Sequence, residues 1–345
     1  MFSIFSLFLL CDIVIVLRGV SMVDSVIETE RLILRRMGYD KNGLKLTDKA
    51  RKKEVLSVFK SWSNPQNYRY NEITWDIDDV DEMFDYDMPT EWGMHYMVVE
   101  LKETGKVVAT CRFGIRYDDE TNTAWDFGYN VFRGDDKETY TLDEVRSVFK
   151  NDGLKKDELY QGKGYAKEIL NTIMNVARKE GVKKLYAGAD IDNFASIKVM
   201  MKNGFEFDCI DEDGDPCMEC DLTRPNINLT SQEIDDRWNG YLKVIREKRE
   251  ELLDVVKENY NNQYSNALVY YFLGCVAREY NEIKIEQELM SLNNADMELL
   301  INGINKIETR WKKRLLSDSN DERLLRHLSY INRLKDISNR NIQIK

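Results

Sequence analysis

From Thr230 to the end of the chain the apolar residues recur only at helical spacing, and the strand signals of the preceding chain stop. Ile234, Trp238, Leu242, Ile245 and Leu252 form one stripe. Met297, Leu300, Ile301, Ile304, Ile307, Trp311 and Leu315 form a second, and Leu324, Leu325, Leu328, Ile331 and Leu334 a third. Ala267 to Val276 is apolar nearly all round, which predicts a buried middle helix. The segment opens with Thr230-Ser231-Gln232-Glu233, a capping box in which two side chains satisfy amides that the first turn leaves unpaired. These patterns predict an all-α domain of about four packed helices over residues 226–345. At 345 residues the chain also exceeds what one hydrophobic core usually serves.

The preceding part mixes both periods. Thr29 to Arg35 alternates as a strand, and Leu46 to Trp62 carries Val55, Leu56, Val58, Phe59 and Trp62 at helical spacing after Thr47. His95 to Glu100 and Lys106 to Phe113 flank Glu103-Thr104-Gly105 as a hairpin, and Thr123 to Val131 supplies a third antiparallel strand. Gly164 to Glu180 presents Ile169, Leu170, Ile173, Met174 and Ala177 on one face and stops at Gly181. A short strand, Leu185 to Ala189, a helix, Ala195 to Asn203, and a hairpin about Asp213-Gly214 complete the order. The expectation is a mixed, mostly antiparallel sheet with flanking helices over residues 22–225, interrupted by a long polar insertion at 133–160.

Charge and cysteines narrow the function. The net charge of -11 lies wholly in the first 225 residues, because 19 acidic and 19 basic residues balance after Asn226. A nucleic-acid binder needs a Lys/Arg surface to displace counterions, so nucleic acid is not expected as a partner. Six cysteines are too sparse for a secreted disulfide framework. Cys217 and Cys220 form a CxxC pair with Cys209 nearby, but no second pair or neighbouring histidine completes a zinc site, so no metal is expected. The apolar residues 1–21 have no basic start and no small-residue cleavage site, and they fall short of the roughly 20 apolar residues of a membrane span. A cytoplasmic protein without membrane attachment is expected. Arg18-Gly19 can be encoded by a purine-rich AGG-GGN stretch of the kind that precedes bacterial starts, so translation is expected to begin at Met22; an intact mass that retains residues 1–21 would refute this.

Gln161-Gly162-Lys163-Gly164-Tyr165-Ala166 stands at the start of the amphipathic helix. Two glycines allow close backbone approach, and a helix start offers unpaired N–H groups with a partial positive charge, so this turn suits a diphosphate. Gln161, Gly164 and Ala166 resemble the Q-x-x-G-x-G/A motif of the GNAT acetyltransferases. The helix, the short strand, Asn193, Ser196 and the ending Asn203-Gly204-Phe205 follow at that family's spacing. Thr29-Glu30-Arg31-Leu32 and Phe127-Gly128-Tyr129 look like its RimJ/RimL branch, which acetylates protein N-termini, antibiotics and other amines. The resemblance covers residues 29–222 and leaves the helical domain aside.

What the resemblance implies is a GNAT fold that opens in a V between Thr123–Val131 and Leu185–Ala189. The pantetheine arm of acetyl-CoA, the expected cosubstrate, would pair with backbone near Asn130 and Val131. Its diphosphate would lie on the amides of Gly162, Lys163, Gly164, Tyr165 and Ala166, beside Gln161. Asn193 matches an asparagine that holds the cofactor arm, and capping the helix from Ala195 is an equal reading. Asp126 is the candidate general base, against a partnered surface carboxylate. Backbone amides near Asn130 and Val131 would stabilise the oxyanion. The family's usual tyrosine proton donor is replaced by Met200, so Ser196 is the candidate acid, against an ordinary first-turn hydroxyl.

Glu72 to Glu100 holds ten acidic residues and no Lys or Arg. It reads either as a solvated surface or as a rim that attracts a cationic acceptor such as a polyamine, aminoglycoside or basic peptide; Trp75, Phe84, Tyr86 and Trp92 would add an aromatic wall. The insertion at 133–160 reads as a lid or as a surface excursion. Two functions follow from the resemblance. One is an N-acetyltransferase acting on a primary amine of a small molecule or peptide by direct attack in a ternary complex. The other is an acetyl-CoA-binding module without turnover, acting through a protein partner. A partner or dimer contact is expected through 226–345.

Overall fold

The structure is a computed structural model that describes residues 23–62, 94–116, 123–132, 141–143, 145–146, 160–211, 214–224, 229–317 and 319–342. The apolar leader, the acidic stretch 72–93 with its aromatic residues and most of the 133–160 insertion lie outside the described residues. The described residues fall into two compact units.

The first unit is built on one eight-stranded sheet: β1 (Val26–Glu28), β2 (Leu32–Arg36), β3 (Met94–Leu101), β4 (Val107–Ile115), β5 (Ala124–Val131), β6 (Lys184–Gly188), β7 (Glu206–Ile210) and β8 (Pro216–Asp221). Their order is β1-β2-β3-β4-β5-β6-β8-β7. Every pairing is antiparallel except β5 with β6. The expected strand Thr29 to Arg35 is shorter at its start, because the amide and hydroxyl of Thr29 both bond the carbonyl of Leu32 and turn the chain between β1 and β2. The Arg35 guanidinium is buried and bridges Glu54 and Glu100, while Glu54 also accepts the Gly38 amide at 2.7 Å. That shared carboxylate fixes helix α1 (Asp48–Trp62) at its Glu54 turn.

Helix α2 (Tyr165–Lys179) lays Ile169, Leu170, Ile173, Met174 and Ala177 into the core, as its periodicity predicts, and ends before Gly181 at φ 79°. Trp125, Phe127 and Val131 of β5 share this core with Leu185, Phe205, Met218 and Cys220. Helix α3 (Phe194–Lys202) follows β6 and buries Ile197, Met200 and Met201. Met200, at the family's tyrosine position, is thus a core side chain.

Among the described residues five helices follow: α4 (Ser231–Glu247), α5 (Arg249–Ala277), α6 (Glu282–Met290), α7 (Asn294–Ser317) and α8 (Glu322–Ile342). α4 carries the predicted capping box. It was expected with the C-terminal bundle, but it packs in the first unit. Tyr241 is buried in the sheet-bearing core, its hydroxyl donating to the Ile191 carbonyl at 3.2 Å, and Trp238 meets Phe194 edge-on at 5.8 Å.

The second unit takes α1 from Val55 onward together with the bundle of α5 to α8, whose core includes Leu268, Phe272, Leu289, Leu300, Ile304, Trp311, Ile331 and Leu334. Residues 141–143 and 145–146 of the 133–160 stretch belong here, whereas Tyr160 packs in the first unit. Leu142 and Val145 are buried in this core, and Arg146 donates to the Ser291 carbonyl at 3.0 Å and pairs with Asp296. α5 and α7 approach closely at Gly303, where a methyl group would collide with Ser265.

Candidate active site

β5 is paired with β4 along its whole length, from Ile115↔Trp125 to Ala109↔Val131. Its parallel pairing with β6 covers only Ala124↔Lys184, Trp125↔Leu185 and Asp126↔Tyr186. From Phe127 onward β5 has no ladder on the β6 side. A sheet interior normally leaves no strand edge unpaired, so the gap offers main-chain groups of β5 to an extended ligand. Asn130 and Val131 lie in this free segment. The Val131 carbonyl accepts the side-chain amide of Gln161 at 2.9 Å, tying the glycine turn to β5.

The turn delivers α2 without a cap. Gly164, the residue before the helix, has φ 85°, a conformation that costs other residues about 1–2 kcal/mol, and it makes no side-chain capping bond. Among the described residues the amides of Gly162, Gly164, Tyr165 and Ala166 have no partner. Nothing lies within 4 Å of where a Gly162 side chain would begin. Open amides, a positive helix end and bare glycines fit a diphosphate.

A second set of residues holds this turn. The Glu168 carboxylate, in the first turn of α2, accepts the Thr29 hydroxyl, the Arg31 amide at 3.0 Å and the Arg31 guanidinium at 2.8 Å. Burial pushes this carboxyl up, but the Thr29 and Arg31 bonds outweigh it and hold it below the usual carboxylate range. Arg31 then donates to the Lys163 carbonyl at 2.9 Å and stands 4.8 Å over the Tyr165 ring. Helical and strand periodicity gave no hint of this tie; the Thr-Glu-Arg-Leu motif marked out Thr29 and Arg31, and no sequence signal marked out Glu168.

Asn193 caps α3, its side-chain oxygen accepting the Ser196 amide at 3.2 Å. Ser196 is drawn to β5 by Tyr129, whose hydroxyl donates to the serine oxygen at 3.2 Å. Burial raises the Tyr129 pKa and the Ser196 bond opposes it, so the phenol keeps its proton. The sequence marked Tyr129 only as part of the Phe127-Gly128-Tyr129 resemblance and gave it no role, because its meeting with Ser196 depends on how distant segments approach. Asp126 occupies the last paired position before the gap, 3.6 Å from Arg116, and its side chain is half exposed. Gln161, the glycine turn, Asn130, Val131, Ser196 and Asn193 therefore gather about the open end of β5. Asp126 sits at its closed end.

A splayed β5–β6 pair beside an uncapped helix start suits an extended ligand that carries a diphosphate. Residues 58–205 match the acetyltransferase (GNAT) family. This family uses acetyl-CoA to acetylate amines. The sheet continues outside the matched residues, through β1 and β2 before and β7 and β8 after.

Among solved structures, the chain is similar to a GNAT acetyltransferase from Bacillus anthracis, at 16% identity over 58% of this chain and 99% of that one, with a TM-score of 0.39. It is similar to RimL, a ribosomal L7/L12 alpha-N-protein acetyltransferase, at 13% identity over 57% and 93%, with a TM-score of 0.40. It is also similar to spermidine N-acetyltransferase from Vibrio cholerae in complex with CoA and spermine, at 13% identity over 56% and 98%, with a TM-score of 0.39. No curated protein matches the chain. Among the described residues no helix is long and apolar enough to cross a membrane, and no group of three or more His, Cys, Asp or Glu side chains could hold a metal ion.

Proposed function

We propose that the chain transfers the acetyl group of acetyl-CoA to a primary amine of a small molecule or peptide, the amine attacking directly while both substrates are bound. The observation that carries this reading is the parting of β5 from β6 after Asp126↔Tyr186, next to the unpartnered amides of Gly162 and Gly164 to Ala166. The amides and the helix end hold the diphosphate. The free edge of β5 at Asn130 and Val131 pairs with the pantetheine arm and aims main-chain N–H groups at the developing oxyanion.

The attacking amine must shed a proton, and Asp126 is the carboxylate proposed to take it, directly or through water. The departing thiolate needs a proton in return. A hydroxyl has one hydrogen and two lone pairs, so Ser196, accepting from Tyr129, keeps its own hydrogen free to donate. Nine carboxylates without a Lys or Arg between Glu72 and Glu91 favour a positively charged acceptor, by long-range attraction; the tenth of the run, Glu100, is paired with Arg35. The sparse cysteines favour the cytoplasm as its compartment.

Calorimetry with CoA followed by thiol release from acetyl-CoA, across polyamines, aminoglycosides and peptides, tests the reading. Binding together with release on at least one amine is expected. Binding without release on any amine would replace it with the non-catalytic module, and absence of binding would remove the coenzyme assignment. Ser196→Ala is expected to lower kcat and to leave CoA affinity unchanged. If Asp126→Asn leaves the pH–rate profile unaltered, that carboxylate is not the base.

A further inference from the structure

The CxxC pair of the sequence is divided by the fold. Residues three apart on a strand point to opposite faces. Cys220 of β8 accordingly lies in the core, whereas Cys217 is only partly buried on the other face. Cys217 instead faces Cys209 across the β7–β8 ladder, where the two are direct Cα partners. This register depends on an irregularity. Phe207 pairs with Met218 and Cys209 with Cys217, so Asp208 is the extra residue of a bulge. Strict alternation would put Cys209 on the inward face with Phe207; the bulge moves it to the outer face.

We propose that Cys209 and Cys217 form a reversible disulfide-forming site, oxidised by a small-molecule disulfide. Directly opposed residues of an antiparallel pair have Cα atoms about 4.5–5.5 Å apart, within the 4.4–6.8 Å range that a disulfide spans. Cys209 is exposed, while Cys111, Cys220 and Cys275 are buried, so among the described cysteines Cys209 is the one an oxidant meets first. Burial, with Cys209 and nearby carboxylates, raises the Cys217 thiol to about 11, so Cys217 is the slower thiol to react with an external oxidant and enters second, within the molecule.

The Cys209 thiolate attacks one sulfur of the oxidant, forming a mixed disulfide and expelling one thiolate. The Cys217 thiolate then attacks the Cys209 sulfur and expels the second. Two protein S–H bonds and one oxidant S–S bond are consumed, and one protein S–S bond and two small thiols result. The link closes the hairpin that carries Asp211 and Asp215. The Asp211 carboxylate accepts the Asp215 amide at 2.8 Å, and Asp215 accepts the Ile191 amide at 3.0 Å, two residues before Asn193. The cross-link therefore stiffens the support of the turn that starts α3.

The site is independent of acetyl transfer and is tested on the full chain with oxidised glutathione as the probe. After incubation, free thiols are alkylated and intact mass is measured. Digestion at aspartate and glutamate, which lie between the two cysteines, then maps the link. The expected result is loss of two alkylatable thiols, a Cys209–Cys217 peptide pair and full recovery of both thiols with dithiothreitol. Cys217→Ser is expected to abolish the link and leave one glutathione on Cys209. Cys220→Ser is expected to leave the link intact. A wild-type chain that keeps glutathione on Cys209, links Cys217 to Cys220, or retains both thiols while free glutathione disulfide remains in excess would overturn the proposal.

Discussion

Two helices of the first unit begin in opposite ways. α4 starts from Thr230, whose hydroxyl accepts the Glu233 amide while the Glu233 carboxylate accepts the Thr230 amide at 2.7 Å. α2 starts from Gly164 with no capping side chain, and its first amides have no partner among the described residues. Both are amphipathic, and both bury a face against the same core. The difference lies in what the end is for. A helix that only packs satisfies its own first turn, whereas α2 leaves its first turn open and has it held from behind by Glu168, Arg31 and Thr29.

The largest effect expected from this contrast is on stability, at α4. Tyr241→Ala should cost the first unit about 3–5 kcal/mol, the loss typical of a large buried aromatic, read from the denaturant midpoint. A loss below about 1 kcal/mol would mean that α4 is an appendage and the comparison fails. Next is binding at α2. Gly164→Val forces a branched side chain into φ 85° and disturbs the open amides, so CoA affinity should fall on the order of 100-fold by calorimetry, as expected when one or two hydrogen bonds to a charged group are lost. Unchanged affinity would end the diphosphate assignment.

Glu168→Gln should be milder, about 1–2 kcal/mol at neutral pH, because it weakens bonds to a charged carboxylate without opening a cavity. The folded pKa of this group lies below its unfolded value. Its stabilisation is therefore present above the unfolded value and disappears as pH falls through the folded one. Wild type and variant should converge in strong acid, and a pH-independent gap would show that the carboxylate charge is irrelevant. The smallest effect is expected from Thr230→Ala. It removes half of the capping box for about 1 kcal/mol and should leave CoA affinity untouched.

Much of this contrast can be read in the linear chain. Glycine before an amphipathic run, against threonine three residues before glutamate, marks an open and a closed helix start without any knowledge of the fold. The buried face of α2, the hairpin about Gly105 and the helix stop at Gly181 were equally legible, since each depends on neighbours within a few residues. The partner of α4 was not. Its apolar stripe would suit a bundle as well as a sheet, and only packing placed Trp238 and Tyr241 beside Phe194 and Phe207.

The sequence alone determined most of the helices and strands, though not β1 or α6, that strands end before Thr230, and that a bare glycine turn precedes α2, because periodicity, capping and backbone freedom are local properties. Tertiary structure decided the rest. It set where β5 leaves β6, brought Tyr129 to Ser196, and joined Arg31 to a turn far along the chain. It also parted Cys217 from Cys220 and paired it with Cys209 across a bulge. These are matters of register and approach between distant segments, fixed by how side chains fill a shared core, and no local pattern encodes them.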